Sequence, residues 1–272
     1  MKREYLLFSP PCIIFFNYLL IPLLRMRIGI ISDIHSDLQS LNAALNNLSA
    51  RGYDKLICLG DIVGYSYHYK NNLEGRNSDE CVKLVKQHCD YVIAGNHDMY
   101  WSMRLPEYLR KIRYPDNWYK LNLQERMDFS NDLIWLYDDE VDEPMLTDHI
   151  DFLSSLPESC ILDCGRLSVL FTHFLYPDLT GSSKFFPDTI NHFRPHLKFM
   201  KLNKCILGIT GHAHLQGYSV TSRDHFRYNF FGKTRLEPLP QVIIGPAVTR
   251  GDSKNGFMIF NTETDELEVI QL

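Results

Sequence analysis

Arg27-Ile28-Gly29-Ile30-Ile31-Ser32-Asp33-Ile34-His35 is the stretch whose reading decides the fold. The apolar part, Arg27–Ser32, reads as a core strand, and it ends abruptly in two chemically active residues. Asp33 and His35 are two positions apart, so both can point the same way from an extended segment. Ser36 or Asp37 can then cap a helix whose apolar face is Leu38, Leu41, Leu45 and Leu48. Lys55–Leu59 is a second buried strand, Asp79–His88 a helix carrying Val82, Leu84 and Val85, and Tyr91–Ala94 a third short strand. This alternation implies an α/β fold with a largely parallel sheet and covering helices.

Residues 101–157 break the rhythm and read as a helical insertion over one edge of the sheet, with helices near Leu121–Trp135 and Thr147–Leu156. Within it, Asp138-Asp139-Glu140, continued by Asp142 and Glu143, reads as a solvated loop. Arg104, Arg110, Lys111 and Arg113 stand beside Trp101, Tyr108 and Tyr114. That mix reads as an amphipathic helix with a solvated basic face, with phosphate and base contacts as the alternative. After Pro157 come Leu167–Thr172, Cys205–Thr210, Tyr218–Thr221, Gln241–Ile244, Gly256–Phe260 and Glu266–Ile270. Strands so closely spaced suggest a second sheet packed on the first.

The composition sets bounds. The chain has 272 residues with 45% hydrophobic and 22% charged, values of a globular protein that exclude a mostly disordered one. Its 28 Lys and Arg against 33 Asp and Glu leave a net charge of −5, which argues against a general affinity for nucleic acid. Its 7 cysteines show no tight pairing, and Cys58 and Cys205 sit inside apolar runs. They read as reduced thiols in a cytoplasmic setting. Residues 1–25 differ from the rest: Lys2 and Arg3 precede an apolar stretch interrupted by Pro10, Pro11 and Pro22. They are expected to be an upstream extension, with Met26 a natural start of a domain spanning 26–272. The rival reading is a weak membrane anchor through residues 5–24.

Polar clusters follow five of the expected strands: Asp33-Ile34-His35, Gly60-Asp61, Gly95-Asn96-His97-Asp98, Thr172-His173 and Gly211-His212-Ala213-His214. Ligand sites in open α/β sheets form beyond the carboxyl ends of strands, so the clusters can converge. Asp, Asn and His supply oxygen and imidazole ligands suited to manganese, iron, zinc or similar cations. His68, His88, His149, His192, His196 and His225 match no such pattern and are expected to be structural or at the surface.

This ordered set resembles the signature of the calcineurin-like metallophosphoesterase superfamily, and Gly60-Asp61-Ile62-Val63-Gly64-Tyr65 resembles its small prokaryotic branch. The resemblance implies an α-β-β-α sandwich, two packed mixed sheets flanked by helices, around a site for two divalent metal ions. Manganese is the first choice, with iron, zinc, nickel or cobalt as alternatives. Carried over by position, one metal takes Asp33, His35, Asp61 and His214, and the other Asp61, Asn96, His173 and His212. Asp61 bridges the two. A hydroxide between the metals would attack phosphorus, and His97 would lie beside them to protonate the leaving oxygen or bind a phosphoryl oxygen. Asp98 is either a catalytic residue that orients His97 or a turn residue. Phe174, where relatives carry glycine, is expected to narrow the mouth, and Gly245-Pro246-Ala247-Val248 to floor the site without a ligand.

The implied activity is hydrolysis of phosphomono- or phosphodiesters, on a small molecule or nucleotide sooner than a phosphoprotein, with no stable nucleic-acid partner. The alternatives are a non-catalytic interaction scaffold of the same fold and a membrane-tethered lipid-phosphate hydrolase. If Asp61 bridges, Asp61→Ala is expected to lose both metals together. Metal content per chain checks this, and retention of two metals would refute the bridge.

Overall fold

The computed structural model describes residues 25–66, 74–109, 112–238 and 240–272. Most of the N-terminal extension, Cys12, His68, Arg110 and Lys111 therefore lie outside the described residues.

β1 (Arg27–Ile31) is buried at every position after Arg27. It pairs in parallel with β2 (Lys55–Cys58), which pairs in parallel with β3 (Tyr91–Val92). On its other side β1 meets β11 (Gly256–Asn261) antiparallel, followed by β12 (Glu266–Gln271) and β9 (Gly232–Arg235). The first sheet thus runs β3-β2-β1-β11-β12-β9. The second contains β4 (Ser159–Asp163), β5 (Ser168–Thr172), β6 (Leu207–Thr210), β10 (Gln241–Ile244), β7 (Tyr218–Thr221) and β8 (Phe226–Asn229), in the order β4-β5-β6-β10-β7-β8. Both sheets are mixed, with β5, β6 and β10 forming the parallel centre of the second.

Side-chain alternation sorts the core into layers. Ile28 and Ile30 from β1, Val169 and Phe171 from β5, and Ile243 from β10 fill the space between the sheets. Ile31 and Leu56 face the other way, onto Leu41, Leu45, Leu48, Val82 and Val85. Those side chains belong to α1 (Leu38–Arg51) and α2 (Ser78–His88). Leu170, Val242 and Ile244 turn outward from the second sheet onto Met200 of α6 (Arg194–Leu202). Helix, sheet, sheet and helix therefore stack as the α-β-β-α sandwich that the resemblance implied.

Of the two candidate caps, Asp37 starts α1: its carboxylate accepts from Ser40 N at 3.1 Å. Such a cap contributes about 1 kcal/mol. Asp37 is also gripped by Arg250, whose Nε and Nη2 donate at 2.9 and 3.0 Å. The helix is thereby tied to the loop after β10. Asn77 caps α2, accepting from Glu80 N at 2.9 Å.

The insertion is less helical than its sequence suggests. The expected helix over Leu121–Trp135 shrinks to α4 (Leu123–Ser130), because Asn131 turns left-handed at φ 43° and ends it. α5 (Thr147–Ser155) forms as expected. No helix forms among the described residues of 104–117, so the amphipathic basic helix is corrected. Arg104 instead donates to the carbonyls of Ser154 and Leu156 and lies 3.7 Å from Glu158, clamping the end of α5. Among the described residues no helix is long and apolar enough to cross a membrane. Cys58, Cys81, Cys89, Cys160, Cys164 and Cys205 are free thiols.

His196 on α6 is fully buried, and its Nδ1 accepts from Tyr176 N at 2.9 Å. Burial holds its pKa down to about 3. The native state thus resists a proton that the unfolded chain takes up near 6.5. Stability from this residue is intact above pH ~6.5 and falls by about 1.4 kcal/mol per unit as pH drops toward 3. Urea midpoints at pH 7.5 and 5 are expected to differ less in His196→Asn, which keeps an acceptor for Tyr176 N, than in the parent. An unchanged difference would refute the assignment.

Candidate metal centre

All five polar clusters fall at the carboxyl ends of strands on one end of the sandwich. Asp33 and His35 follow β1, Asp61 follows β2, His173 follows β5, and His212 and His214 follow β6. Asn96 and His97 open α3 (Asn96–Trp101), a short helix after β3. The strands stop here because the chain turns sharply. Asp33, His35, Asp61, His212 and His214 all have positive φ, between 47 and 66°. A non-glycine residue in that region costs about 1 kcal/mol or more and is found where surrounding contacts enforce it. The contacts are backbone hydrogen bonds between the loops. Ile34 N and His35 N both donate to Asp61 O, at 2.8 and 2.9 Å, and Gly211 N donates to His173 O at 2.9 Å. Val248 N and Thr249 N donate to Ser32 O and Asp33 O, so the loop after Gly245 does floor the site.

Two glycines let these loops touch. A Cβ on Gly95 would lie 2.1 Å from Asp61 Oδ1, and one on Gly211 would lie 1.9 Å from Ser32 Oγ. No larger residue fits at either place without moving a candidate ligand.

The side chains are oriented before any ion arrives. His35 Nδ1 lies 2.7 Å from the carbonyl of Gly64, and His173 Nδ1 lies 2.8 Å from that of Leu59. A carbonyl only accepts, so both Nδ1 atoms carry the hydrogen and both Nε2 lone pairs face the centre. His35 Nε2 is 3.0 Å from His214 Nε2 and 3.7 Å from Asp61 Oδ2. His173 Nε2 is 3.1 Å from Asp61 Oδ2 and 3.2 Å from His212 Nδ1. His214 Nε2 is 3.2 Å from Asp33 Oδ1.

The carboxylates are divided between structure and centre. Asp61 Oδ1 accepts from His97 N at 2.9 Å, leaving Oδ2 between the two groups of imidazoles. Asp33 Oδ2 takes Ser32 Oγ and His212 N. Asp33 Oδ1 and Asn96 Oδ1 are buried and accept no well-formed hydrogen bond among the described residues. Buried acceptors left over in this way suit a cation. Asp33, His35 and His214 form one cluster with ligand atoms within 4.8 Å of one another, and Asp61, His173 and His212 form another. His97 also falls in such a cluster, with His35 and Asp61. The donors present fit two neighbouring divalent ions, and their nitrogen and oxygen character suits several metals equally.

The electrostatics follow from the same closeness. Burial works against the charged form of Asp33 and Asp61. The imidazoles of His214 and His173 around Asp33, and of His173 and His97 around Asp61, nevertheless hold both well below the usual carboxylate range. Burial pushes His212 down to about 3. Burial also disfavours a charged His97, but the carboxylates of Glu140 and Asp61 outweigh it and lift the ring to about 9.

Some expectations need correction. Asp98 is buried and its carboxylate accepts from Ile62 N at 2.9 Å and Gly95 N at 3.0 Å. It ties the Asp61 loop to α3, and the Nδ1 of His97 is met by Glu140 instead. The sequence pattern places Glu140 in a solvated loop, and the structure corrects this. Asp138 is exposed, but the Glu140 side chain is only 4% exposed, and Glu143 accepts from Ser78 N and Oγ at the start of α2. Nothing in an acidic run marks one member as buried. What decides it is the chain path, fixed where Val141 N donates to Tyr65 O at 2.9 Å. Phe174 does not narrow the mouth. It is fully buried with its ring 4.4 Å from that of His212, while half-exposed Phe186 stacks parallel to the His212 ring at 5.4 Å and meets Phe174 edge-on at 6.0 Å. A cleft of about 590 Å³ opens over the centre, lined by His97, Trp135, Tyr137, Lys184 and Phe186 among others. Arg104, Tyr108 and Tyr114 are not among its lining residues.

A sequence model of calcineurin-like phosphoesterases matches residues 26–216. An uncharacterized protein of Methanocaldococcus jannaschii is 26% identical over 261 residues, covering 92% of this chain and 88% of its own. A metallophosphoesterase from Sphaerobacter thermophilus superimposes with a TM-score of 0.57 at 23% identity, covering 91% of this chain and 88% of that one. A hypothetical protein from Pyrococcus horikoshii gives a TM-score of 0.54 at 15% identity, over 90% and 87%. These structures share the fold.

Gly95→Ala is expected to displace the Asp61 carboxylate. It should lower divalent-metal affinity measured by calorimetry and reduce stability by about 1–3 kcal/mol through overpacking. Unchanged metal affinity would mean that Asp61 is not held where the glycine permits.

Proposed function

This chain belongs to the calcineurin-like phosphoesterase family, and we propose that it hydrolyses phosphomono- or phosphodiesters with the help of two divalent cations. One ion would be held by Asp33, His35, Asp61 and His214, the other by Asp61, Asn96, His173 and His212. Bound there, the cations would polarise the phosphoryl oxygens and make a water acidic enough to serve as nucleophile near neutral pH. The observation that carries this reading is the pair of ligand clusters meeting at Asp61, with the buried oxygens of Asp33 and Asn96 left for a cation.

The chain's own residues do the rest. Gly64 and Leu59 carbonyls fix the two imidazoles that must present lone pairs, which limits reorganisation on binding. His97 lines the cleft beside the centre, where it can meet an ester or phosphoryl oxygen. Trp135, Tyr137 and Phe186 give the mouth an aromatic rim, which favours a small-molecule or nucleotide ester over a phosphoprotein. The complete ligand set speaks against a non-catalytic scaffold.

The test is hydrolysis of p-nitrophenyl phosphate and bis-p-nitrophenyl phosphate by the protein loaded with Mn²⁺. Turnover abolished by a chelator supports the reading, and the better ester separates monoesterase from diesterase. His97→Ala is expected to lose about 100-fold or more in turnover with its metals retained. No turnover on either ester with two metals bound would overturn the proposal, and full activity in the variant would overturn the role of His97.

A further inference from the structure

The end of the sandwich away from the metal centre carries a groove of about 1000 Å³. It lies between α6 and the turn joining β7 to β8, over the amino ends of β6 and β10. His212 and His214 follow the carboxyl end of that same β6, so groove and metal centre sit at opposite ends of the fold. Five cationic side chains line the groove: Arg194, Lys198, Lys201, Lys204 and Arg223. All five are exposed, and none forms an ion pair among the described residues. Elsewhere on the surface Arg51, Lys83, Arg166, Lys233 and Arg250 each meet a carboxylate. Among the described residues Asp224 is the one acidic side chain that lines the groove. The chain as a whole carries a net charge of −5, so this face has the opposite sign from the average surface. Within a Debye length, about 8 Å at physiological salt, the local cations decide what the face attracts.

The charges do not stand alone. His196 and Met200 turn into the core, which puts Arg194, Lys198 and Lys201, spaced four and three residues apart, along the outer face of α6. Leu202 comes one turn after Lys198 on that face and is 72% exposed. Ile206, in the groove wall, and Phe226, at the start of β8, are also exposed. Such apolar side chains among unpaired cations mark a surface that meets something both anionic and apolar. A nucleic-acid backbone would use the cations and leave Leu202, Ile206 and Phe226 in water. No Phe, Tyr or Trp among the described residues lines the groove to stack a base. The surface of a bilayer, in contrast, offers phosphate and hydrocarbon within about 5–10 Å of depth.

We infer that this end of the fold is a docking surface for a membrane rich in anionic phospholipid. The five cations meet headgroup phosphates, and Leu202, Ile206 and Phe226 enter the boundary with the acyl chains. The attachment is peripheral, because α6 has 9 residues and no described helix is long and apolar enough to cross. With the groove against the bilayer, the cleft at the other end of β6 stays open to solvent. The enzyme would then be held at a membrane while drawing its ester from the aqueous side.

The experiment is co-sedimentation of the full-length protein with vesicles of phosphatidylcholine alone and of phosphatidylcholine with 30% phosphatidylglycerol. The parent is expected to bind the anionic vesicles, to bind neutral ones at least tenfold more weakly, and to be released by 0.5 M NaCl. The double variant Lys198→Gln, Lys201→Gln should lose about tenfold or more in affinity for the anionic vesicles. Leu202→Ser should lose severalfold with every cation retained. Both variants should keep the parent's urea midpoint, as changes at exposed side chains leave folding intact. No binding of anionic vesicles by the parent would overturn the proposal. Undiminished binding by the double variant would also overturn it, since another part of the chain would then be the anchor. Poly-glutamate or a DNA duplex bound as tightly as the vesicles, without loss in Leu202→Ser, would replace the membrane by a soluble polyanion.

Discussion

Asp61 is held at both of its ends, and the centre depends on that. Its backbone oxygen accepts the N–H groups of Ile34 and His35, joining the loops after β1 and β2. One carboxylate oxygen accepts from His97 N and joins the loop after β3. The other stands 3.1 Å from His173 and 3.7 Å from His35, so the second sheet is drawn in as well. A single residue thus couples four strand ends. Displacing it would separate groups that make sense only together.

Such an arrangement is costly to fold. Five candidate ligands sit in left-handed backbone, for a sum of about 5–10 kcal/mol. That is comparable with the whole net stability of a typical domain, roughly 5–15 kcal/mol. Clustered imidazoles and buried acceptors without partners add to it. The site persists because the sheets below are packed on both faces, with Ile28, Ile30, Phe171 and Ile243 on one side and the helices on the other. The rigid sandwich enforces the strain, and bound cations would relieve the electrostatic part of it.

The roof of the cleft obeys a different logic. Residues 131–146 have little regular structure, and Glu140, Tyr137 and Trp135 come from one short stretch of it. Their positions are set by a few specific contacts, the Ile134–Ser183 and Ser66–Glu140 bridges among them. The floor supplies what a metal centre requires, and the roof supplies what distinguishes one ester from another. Gly64 links them, since it orients His35 with its carbonyl and leaves room for His97 and Glu140 with its missing side chain.

The sequence by itself determined the layered architecture, because period-two and helical apolar patterns depend only on backbone geometry and burial. It also determined which polar clusters end the strands, since an apolar run that stops at Asp or His is visible without coordinates. The exposed edge strands β8 and β9 and the half-exposed β4 carry no such pattern, and α6 is not legible in the sequence either. Tertiary structure alone decided that Asp98 serves the backbone, that Phe174 lies beneath His212 while Phe186 stands at the mouth, and that Glu140 is buried against His97. Each of these depends on where a loop without periodicity crosses the sheet ends. That path is set by contacts between residues far apart in the chain, to which local patterns are blind.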